Sequence, residues 1–314
     1  MYINNDQFKE RRIRAVKEDV RKGGSELSRS ALEDLKEYAN TCDAESPADL
    51  KSELMDLAMQ MQLARPSMAV LWNMMQRWID QLAGMPEDAM DNARQYAMEQ
   101  AEALQQMSVQ AGRSIVQAMS PQIPPGSVIL THSFSTTVLA VLETMQTADC
   151  KVIMTEARPG IEGRRLARAL SEMKIETTYI AEAQLGCFID YADVVLLGAD
   201  SVLEDGSVVN KAGTYLVALA AKDHGVPVFV AAESFKHSHR RADEIELEEM
   251  AEDELQLPAI DFVRARNIYF DVTPARLISC WVDESGARTD FANESKAMPA
   301  GFLQDAITKR KNRS

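Results

Sequence analysis

The run Val194–Leu197 carries nothing polar, is too short for a helix, and has the branching of a strand buried on both faces. It stops at Gly198-Ala199-Asp200, so an acid stands where a strand ends. A polar turn with Glu204-Asp205-Gly206 follows. Asn210-Lys211 then comes directly before Ala212 to Asp223, whose apolar residues fall at helical spacing and which Gly225-Val226-Pro227 terminates. A second apolar strand, Val228 to Ala232, delivers Glu233, Ser234 and Lys236 to its own carboxyl end. Strand, helix and strand in so short a span make a βαβ unit, and open parallel sheets bind ligands off the carboxyl ends of their strands. Asp200, Asn210, Lys211, Glu233 and Lys236 are therefore expected on one rim.

The same alternation extends in both directions. Ser127 to Leu130 and Lys151 to Met154 read as strands with a helix, Thr136 to Gln146, between them. Helix Gly163 to Met173 leads to strand Glu176 to Ile180, and Ile268 to Phe270 is expected to close the sheet. The fold class is α/β, a Rossmann-like doubly wound parallel sheet. Before it, Asn5 to Gln122 shows helix signals only: Ser25 to Tyr38, Leu50 to Leu63, a helix from Pro66 to Gly84, and a long pattern from Glu87 to Met119. The breakers Pro121 to Gly126 mark the boundary, giving an all-helical domain over 1–122 and a sheet domain over 123–314. Most of the 17 methionines lie between Met55 and Met119. At helical spacing they are expected to fill a bundle core or a subunit interface rather than to form a cofactor box. Arg240 to Leu257, dense in glutamate, reads as a solvated helix or lid.

Composition narrows the function classes. An apolar content of 46% in 314 residues builds a core without staples, and the four scattered cysteines have no C-x-x-C pairing, so they are expected to remain thiols. No metal and no cofactor is expected. The absence of an eighteen-residue apolar run and the polar start of the chain place it in the cytoplasm, away from membranes. A net charge of −14 repels nucleic-acid backbones, and the basic tail Lys309 to Arg313 reads as a solvated end. No Gly-x-Gly-x-x-Gly, Walker or His-Glu-x-x-His pattern occurs.

The chemistry-bearing groups sit at strand ends and helix starts. Ser135, Thr136 and Thr137 open a helix, where hydroxyls either cap free N–H groups or help to hold an anion; spacing alone favours the cap. Arg158 either forks a phosphate or pairs with Glu156 or Glu162. Lys211 and Lys236 stand where an ammonium neutralises a phosphate or lies on the surface. Lys22-Gly23-Gly24-Ser25 is either an interhelical turn or a loop free to wrap an anion, and Arg65 precedes Pro66 at a helix start. His224, His237 and His239 read as surface residues.

These pieces, in order Lys22-Gly23-Gly24-Ser25, Ala64-Arg65-Pro66-Ser67, Ile129-Leu130-Thr131-His132, Thr155-Glu156-Ala157-Arg158-Pro159, Gly198-Ala199-Asp200, Asn210-Lys211-Ala212-Gly213-Thr214, Ala231 to Lys236 and Tyr269 to Pro274, resemble one superfamily. It comprises ribose 1,5-bisphosphate isomerase, methylthioribose-1-phosphate isomerase and the alpha, beta and delta subunits of eukaryotic translation initiation factor 2B, and the spacing is most similar to the bisphosphate isomerase branch. The resemblance implies an aldose-ketose isomerase, an intramolecular oxidoreductase. Arg65, Ser135, Thr136, Thr137, Asn210, Lys211 and Lys236 would bind substrate phosphates and hydroxyls, with Lys22, Gly23, Gly24 and Ser25 closing over them. Asp200 would be the catalytic acid that protonates the ring oxygen, because a sugar phosphorylated at C1 must open before it isomerises.

Where the isomerases carry the cysteine base directly after Thr-His, this chain has Ser133. A thiol titrates near ~8.5, whereas an alcohol needs a separate base. His132 is adjacent, but neighbouring residues point apart. Lys-Gly-Gly-Ser also replaces the Arg-Gly-Ala-Gly of that branch, losing a guanidinium fork. The alternative implied by the resemblance is a non-catalytic initiation-factor-2B-like protein that binds a sugar phosphate or nucleotide and acts through oligomeric contacts. Either way a homodimer or higher homo-oligomer is expected.

Overall fold

The computed structural model describes residues 4–291, 297–299 and 301–311. The chain divides into two compact units, Met1–Gln110 and Ala111–Ser314. The first is helical: α1 (Asn5–Glu18), α2 (Gly24–Thr41), α3 (Pro47–Leu63), α4 (Ala69–Gln81) and α5 (Met90–Met119), the last of which contains the division. Ser46 caps α3 by accepting from the Asp49 N–H, with Pro47 in the first turn. The helix expected from Pro66 begins only at Ala69, because Met68 is extended (φ −103, ψ 87), so Arg65 lies in the turn between α3 and α4. Leu32, Leu35, Leu54, Met61, Met74 and Trp78 are fully buried, and the Trp78 indole donates to the Ala97 carbonyl at 3.0 Å. The methionines thus fill the bundle, although Met59 and Met107 face outward at 44% and 49% exposure.

The second unit is built on six parallel strands: β1 (Val128–Thr131), β2 (Lys151–Thr155), β3 (Thr177–Ile180), β4 (Val194–Leu197), and two that come after a small second sheet. That sheet pairs β5 (Ser201–Val202) with β6 (Val208–Lys211), and β6 with a later strand, β8 (Phe270–Thr273). The main sheet continues with β7 (Val228–Ala231) and β9 (Cys280–Asp283), and β10 (Gly286–Arg288) turns back antiparallel on β9. The order β10-β9-β7-β4-β1-β2-β3 is that of a doubly wound sheet, reversing direction between β1 and β4. Alternate residues face opposite sides: Ile129, Val194, Leu196 and Phe229 join one apolar cluster, while Leu130, Val195, Leu197 and Val228 join another. The first face is covered by α6 (Thr136–Thr144), α7 (Gly163–Glu172), the end of α5 through Ile115 and Met119, and the C-terminal helix. The second is covered by α8 (Leu185–Phe188) and α9 (Thr214–Asp223). In the C-terminal helix, α10 (Phe302–Lys311), Leu303 and Ile307 pack under the sheet.

Three expectations are corrected. The strand expected at Ile268 to Phe270 is β8, which lies in the second sheet and pairs with β6, the strand that Asn210 and Lys211 end. Its expected place in the main sheet is taken by β9. Arg240 to Leu257 forms no α-helix; it holds only two 3-10 turns, Ala242–Glu244 and Glu252–Leu255. Glu244, Glu248 and Glu252 stand four apart, and like charges at that spacing oppose a helix. Third, the basic tail is not wholly solvated, since both Arg310 Nη atoms donate to the carbonyls of Asp190 and Ala192; residues 312 and 313 lie outside the described residues. No described helix is long and apolar enough to cross a membrane.

Phe229 is fully buried in the middle of the sheet, with its ring edge-on to Phe302 at 6.2 Å. Phe229→Ala is expected to cost about 3–5 kcal/mol in urea denaturation; an unchanged midpoint would contradict this packing.

Candidate functional site

Parallel pairing brings the carboxyl ends of β1, β2, β4 and β7 to one edge of the sheet, with the switch point between β1 and β4, the place where doubly wound sheets bind ligands. The loops leaving these strands carry the sequence-expected groups. Three non-glycine residues in two of those loops adopt left-handed backbone: Ser133 (φ 67), Ala157 (φ 59) and Ile161 (φ 56). Such conformations cost roughly 1–3 kcal/mol each and persist where surrounding contacts enforce them.

The enforcing contacts are visible. Glu182 Oε1 accepts the Ala157 N–H at 2.6 Å. Gly163 lets the loop turn back on β2, since a Cβ there would lie 2.3 Å from the Thr155 carbonyl oxygen. The result aims Glu162 inward: one carboxylate oxygen accepts the Ser133 hydroxyl, and the other lies 2.7 Å from Lys211 Nζ. Lys211 has 5% of its side chain exposed and Glu162 18%. The ammonium also sits 3.2 Å from the centre of the Tyr269 ring. Its contact with Glu162 is an ion pair by distance but is poorly aligned as a hydrogen bond, and among the described residues Nζ has no directed acceptor.

His132 is excluded as a base by its surroundings. It is buried, its Nδ1 is 2.6 Å from Thr155 Oγ1, and its Nε2 is 3.0 Å from the Ala212 carbonyl oxygen. A carbonyl only accepts, so Nε2 bears the proton and Nδ1 receives the threonine hydroxyl. Burial pushes the imidazole below its ordinary range, opposed by Glu182, and the ring stays neutral. Gly213, at φ 109, admits this ring: a Cβ would lie 2.8 Å from its carbon Cε1.

Ser135 is the N-cap of α6, accepting the Val138 N–H at 3.3 Å; Thr136 is half-buried and Thr137 buried in the first turn. A Cβ on Gly198 would touch Ser135 Oγ at 2.6 Å, so the end of β4 meets the start of α6. Half-buried Asp200 follows, its N–H donating to the Val209 carbonyl at 2.9 Å. Asn210 donates one amide N–H to Thr214 Oγ1 at 3.0 Å, at the start of α9. Lys236 lies buried beyond β7, 3.7 Å from Glu233, and the bridge between Val202 and His237 runs its segment beside the one after Asp200. Ser133, Ser135, Asp200, Lys211 and Lys236 thus share the strand-end rim. Glu162, which the sequence offered only as a partner for Arg158, is the rim acid in contact with two of the groups there. Its sequence signal was its place between the end of β2 and Gly163.

In the helical unit, Arg65 is 2% exposed and donates from Nη1 to the Asp19 carbonyl at 2.7 Å. The Asp19 carboxylate accepts the N–H groups of Arg21 and Lys22, both at 2.8 Å, and Lys22 Nζ lies 3.5 Å away. Burial opposes ionisation of Asp19, yet these donors hold it below the ordinary carboxylate range. Gly23 and Gly24 begin α2, and Gly23 has φ −70, so this loop uses no glycine-only conformation; Ser25 is buried in the first turn. Arg65 and Lys22 to Ser25 therefore form one cluster of this unit.

Asp271 ties the second sheet to the rim. Its carboxylate accepts the N–H of Gly213 at 2.7 Å and of Tyr215 at 3.1 Å, capping α9. Burial nevertheless pushes it up to about 6, against those two donors. A raised folded-state value means that the stabilisation tied to its proton is complete below about 3.8 and is lost as pH rises through about 6. In denaturation at a series of pH values, wild type is expected to lose on the order of 2–3 kcal/mol relative to Asp271→Asn between pH 4 and pH 7. A difference constant with pH would refute this.

Residues 20–290 match the family described as the Initiation factor 2 subunit family. A protein of Pyrococcus horikoshii named putative translation initiation factor eIF-2B subunit 2-like is 35% identical over 277 residues, 87% of this chain and 94% of that one. The ribose 1,5-bisphosphate isomerase of Haloterrigena turkmenica is 33% identical over 281 residues, covering 84% and 85%. Among solved structures, the translation initiation factor eIF-2B of Pyrococcus horikoshii OT3 superposes with a TM-score of 0.78 at 33% identity, covering 90% and 96%.

Proposed function

The chain belongs to the Initiation factor 2 subunit family, and from that premise we propose that it binds a phosphorylated sugar and isomerises it from aldose to ketose. The substrate is of the ribose 1,5-bisphosphate type. The observation that carries this reading is the Lys211 ammonium, withdrawn from water at the carboxyl edge of a doubly wound sheet with no directed acceptor for its protons. A phosphate oxygen is an acceptor that such an ammonium can hold.

In this reading Lys211 and Lys236 take phosphate, and Ser135, Thr136, Thr137 and Asn210 contact phosphate or sugar hydroxyls. In the helical unit, Arg65 with Lys22, Gly23, Gly24 and Ser25 serves as an anion-binding cluster. Asp200, half-buried beyond the switch-point strand, protonates the ring oxygen so that the sugar ring opens while the C1 phosphate ester stays intact. A homo-oligomer is part of the same proposal; Leu257, Ile260, Phe262 and Val263 expose apolar side chains within one short segment, as surfaces that pair do. Monomers by light scattering at micromolar concentration would contradict it.

A non-catalytic, initiation-factor-2B-like binder is the second reading, favoured by Ser133 in the position of the isomerase thiol and by the 35% identical relative of that name. Incubation with ribose 1,5-bisphosphate followed by NMR separates the two. Ketose is expected from wild type, with Asp200→Asn slower by about 10²–10⁴-fold, and Lys236→Met is expected to weaken binding about 10–100-fold in a thermal-shift titration. Binding without turnover would establish the second reading.

A further inference from the structure

The Glu162 side chain joins the rim's hydroxyl to its buried ammonium. We propose that its carboxylate is the base that carries the proton between C2 and C1 of the opened sugar, with Ser133 as the residue that positions it. The assignment rests on the isomerase reading.

An aldose-ketose interconversion needs a group that takes a proton from carbon and returns it to the neighbouring carbon. Ser133 sits at the end of β1, where left-handed backbone (φ 67) holds its side chain against the loop after β2. Its hydroxyl donates to Glu162, so its own proton is already committed to the carboxylate. To act as a base itself it would have to become an alkoxide, whereas Glu162 is an acceptor without prior loss of a proton. His132 is withdrawn by its two bonds to Thr155 and Ala212. With 18% of its side chain exposed, Glu162 is reachable from solvent, and Lys211 at 2.7 Å supplies a positive charge beside it.

The steps balance. Asp200 gives its proton to the ring oxygen and the C1–O bond breaks, leaving C1 electron-poor beneath its phosphate ester. Glu162 then takes the C2 proton, and that C–H electron pair becomes the C1–C2 double bond of an enol phosphate. The C2 hydroxyl returns a proton to Asp200 as the C2 carbonyl forms, and Glu162 delivers its proton to C1. Both carboxyl groups end as they began. No oxidant or co-reactant enters, because C2 is oxidised as C1 is reduced within one molecule.

The test uses the full chain with ribose 1,5-bisphosphate in deuterium oxide, read by NMR at C1 of the ketose. Wild type is expected to place deuterium at C1, since a proton held on a carboxyl group exchanges with solvent. Glu162→Gln is expected to lose about 10³-fold in turnover while its thermal shift with the same compound persists. Ser133→Ala is expected to lose about tenfold, the worth of one hydrogen bond to a charged group. Glu162→Gln within tenfold of wild type would overturn the assignment, as would Ser133→Ala falling as far as Glu162→Gln. If Glu162→Gln does not fold, Glu162→Asp decides: drawing the carboxylate back by one methylene is expected to cost about 10², and a wild-type rate would refute the proposal. Absence of ketose from wild type is a separate result that sinks the isomerase reading itself.

Discussion

An ammonium taken out of water costs several kcal/mol unless its surroundings repay the lost hydration, and Lys211 is almost wholly withdrawn. Much of the local architecture around it does that work. Glu162 provides the countercharge at 2.7 Å, and the Tyr269 ring faces the ammonium at 3.2 Å, a contact worth about 2 kcal/mol when desolvated. Strand β6 fixes the lysine's backbone through its pairing with Phe270 on β8, next to the ring that covers it. One residue further on, Asp271 caps α9, so the strand that shelters the lysine also starts the helix after it. The small second sheet is thus the frame of a charged site. Its insertion after β4 places that site beside the switch point of the large sheet, where Asp200 leaves.

The large sheet was readable because strands buried on both faces must be apolar at every position, as in Val194–Leu197 and Val228–Ala231. The pairing of the second sheet was not, although one of its strands was expected at Ile268 to Phe270. Its strands are two to four residues long, and the pairing of Asn210 with Asp271 joins positions some sixty residues apart, a relation no local pattern records. β9 escaped notice because Cys280–Asp283 ends in a charge, although Asp283 is buried against Arg288. Glu162 was visible only as one of two acids open to Arg158, not as the partner of Ser133 and Lys211. Its aim depends on left-handed backbone at Ala157 and Ile161, residue types that ordinarily avoid it, so nothing local signalled that the loop would turn inward.

The helical unit shows a different gap between pattern and cause. The glycine pair before α2 suggests a backbone needing unusual dihedrals, but Gly23 is at φ −70. The order of that loop comes from Asp19, whose carboxylate gathers two N–H groups while its carbonyl holds Arg65. With no side chain at positions 23 and 24, Gly23 supplies no side-chain cap to α2, and the charge beside the helix start belongs to Lys22 and Arg65. An anion site here would rest on access rather than on glycine flexibility.

Ser133 and Glu162 are best understood as one feature. A thiolate at the same distance from this carboxylate would put two negative charges together, a repulsion of about 4 kcal/mol at 4 Å in a surface-like dielectric. The carboxylate would therefore hold a thiol in its protonated form and suppress the species that makes cysteine useful as a base. A hydroxyl meets no such penalty: it stays neutral, donates to Glu162, and fixes the carboxylate's direction. The two residues are compatible because only one of them is charged. A residue that looks like a loss when β1 is considered alone is, beside the loop after β2, a neutral donor to the rim carboxylate.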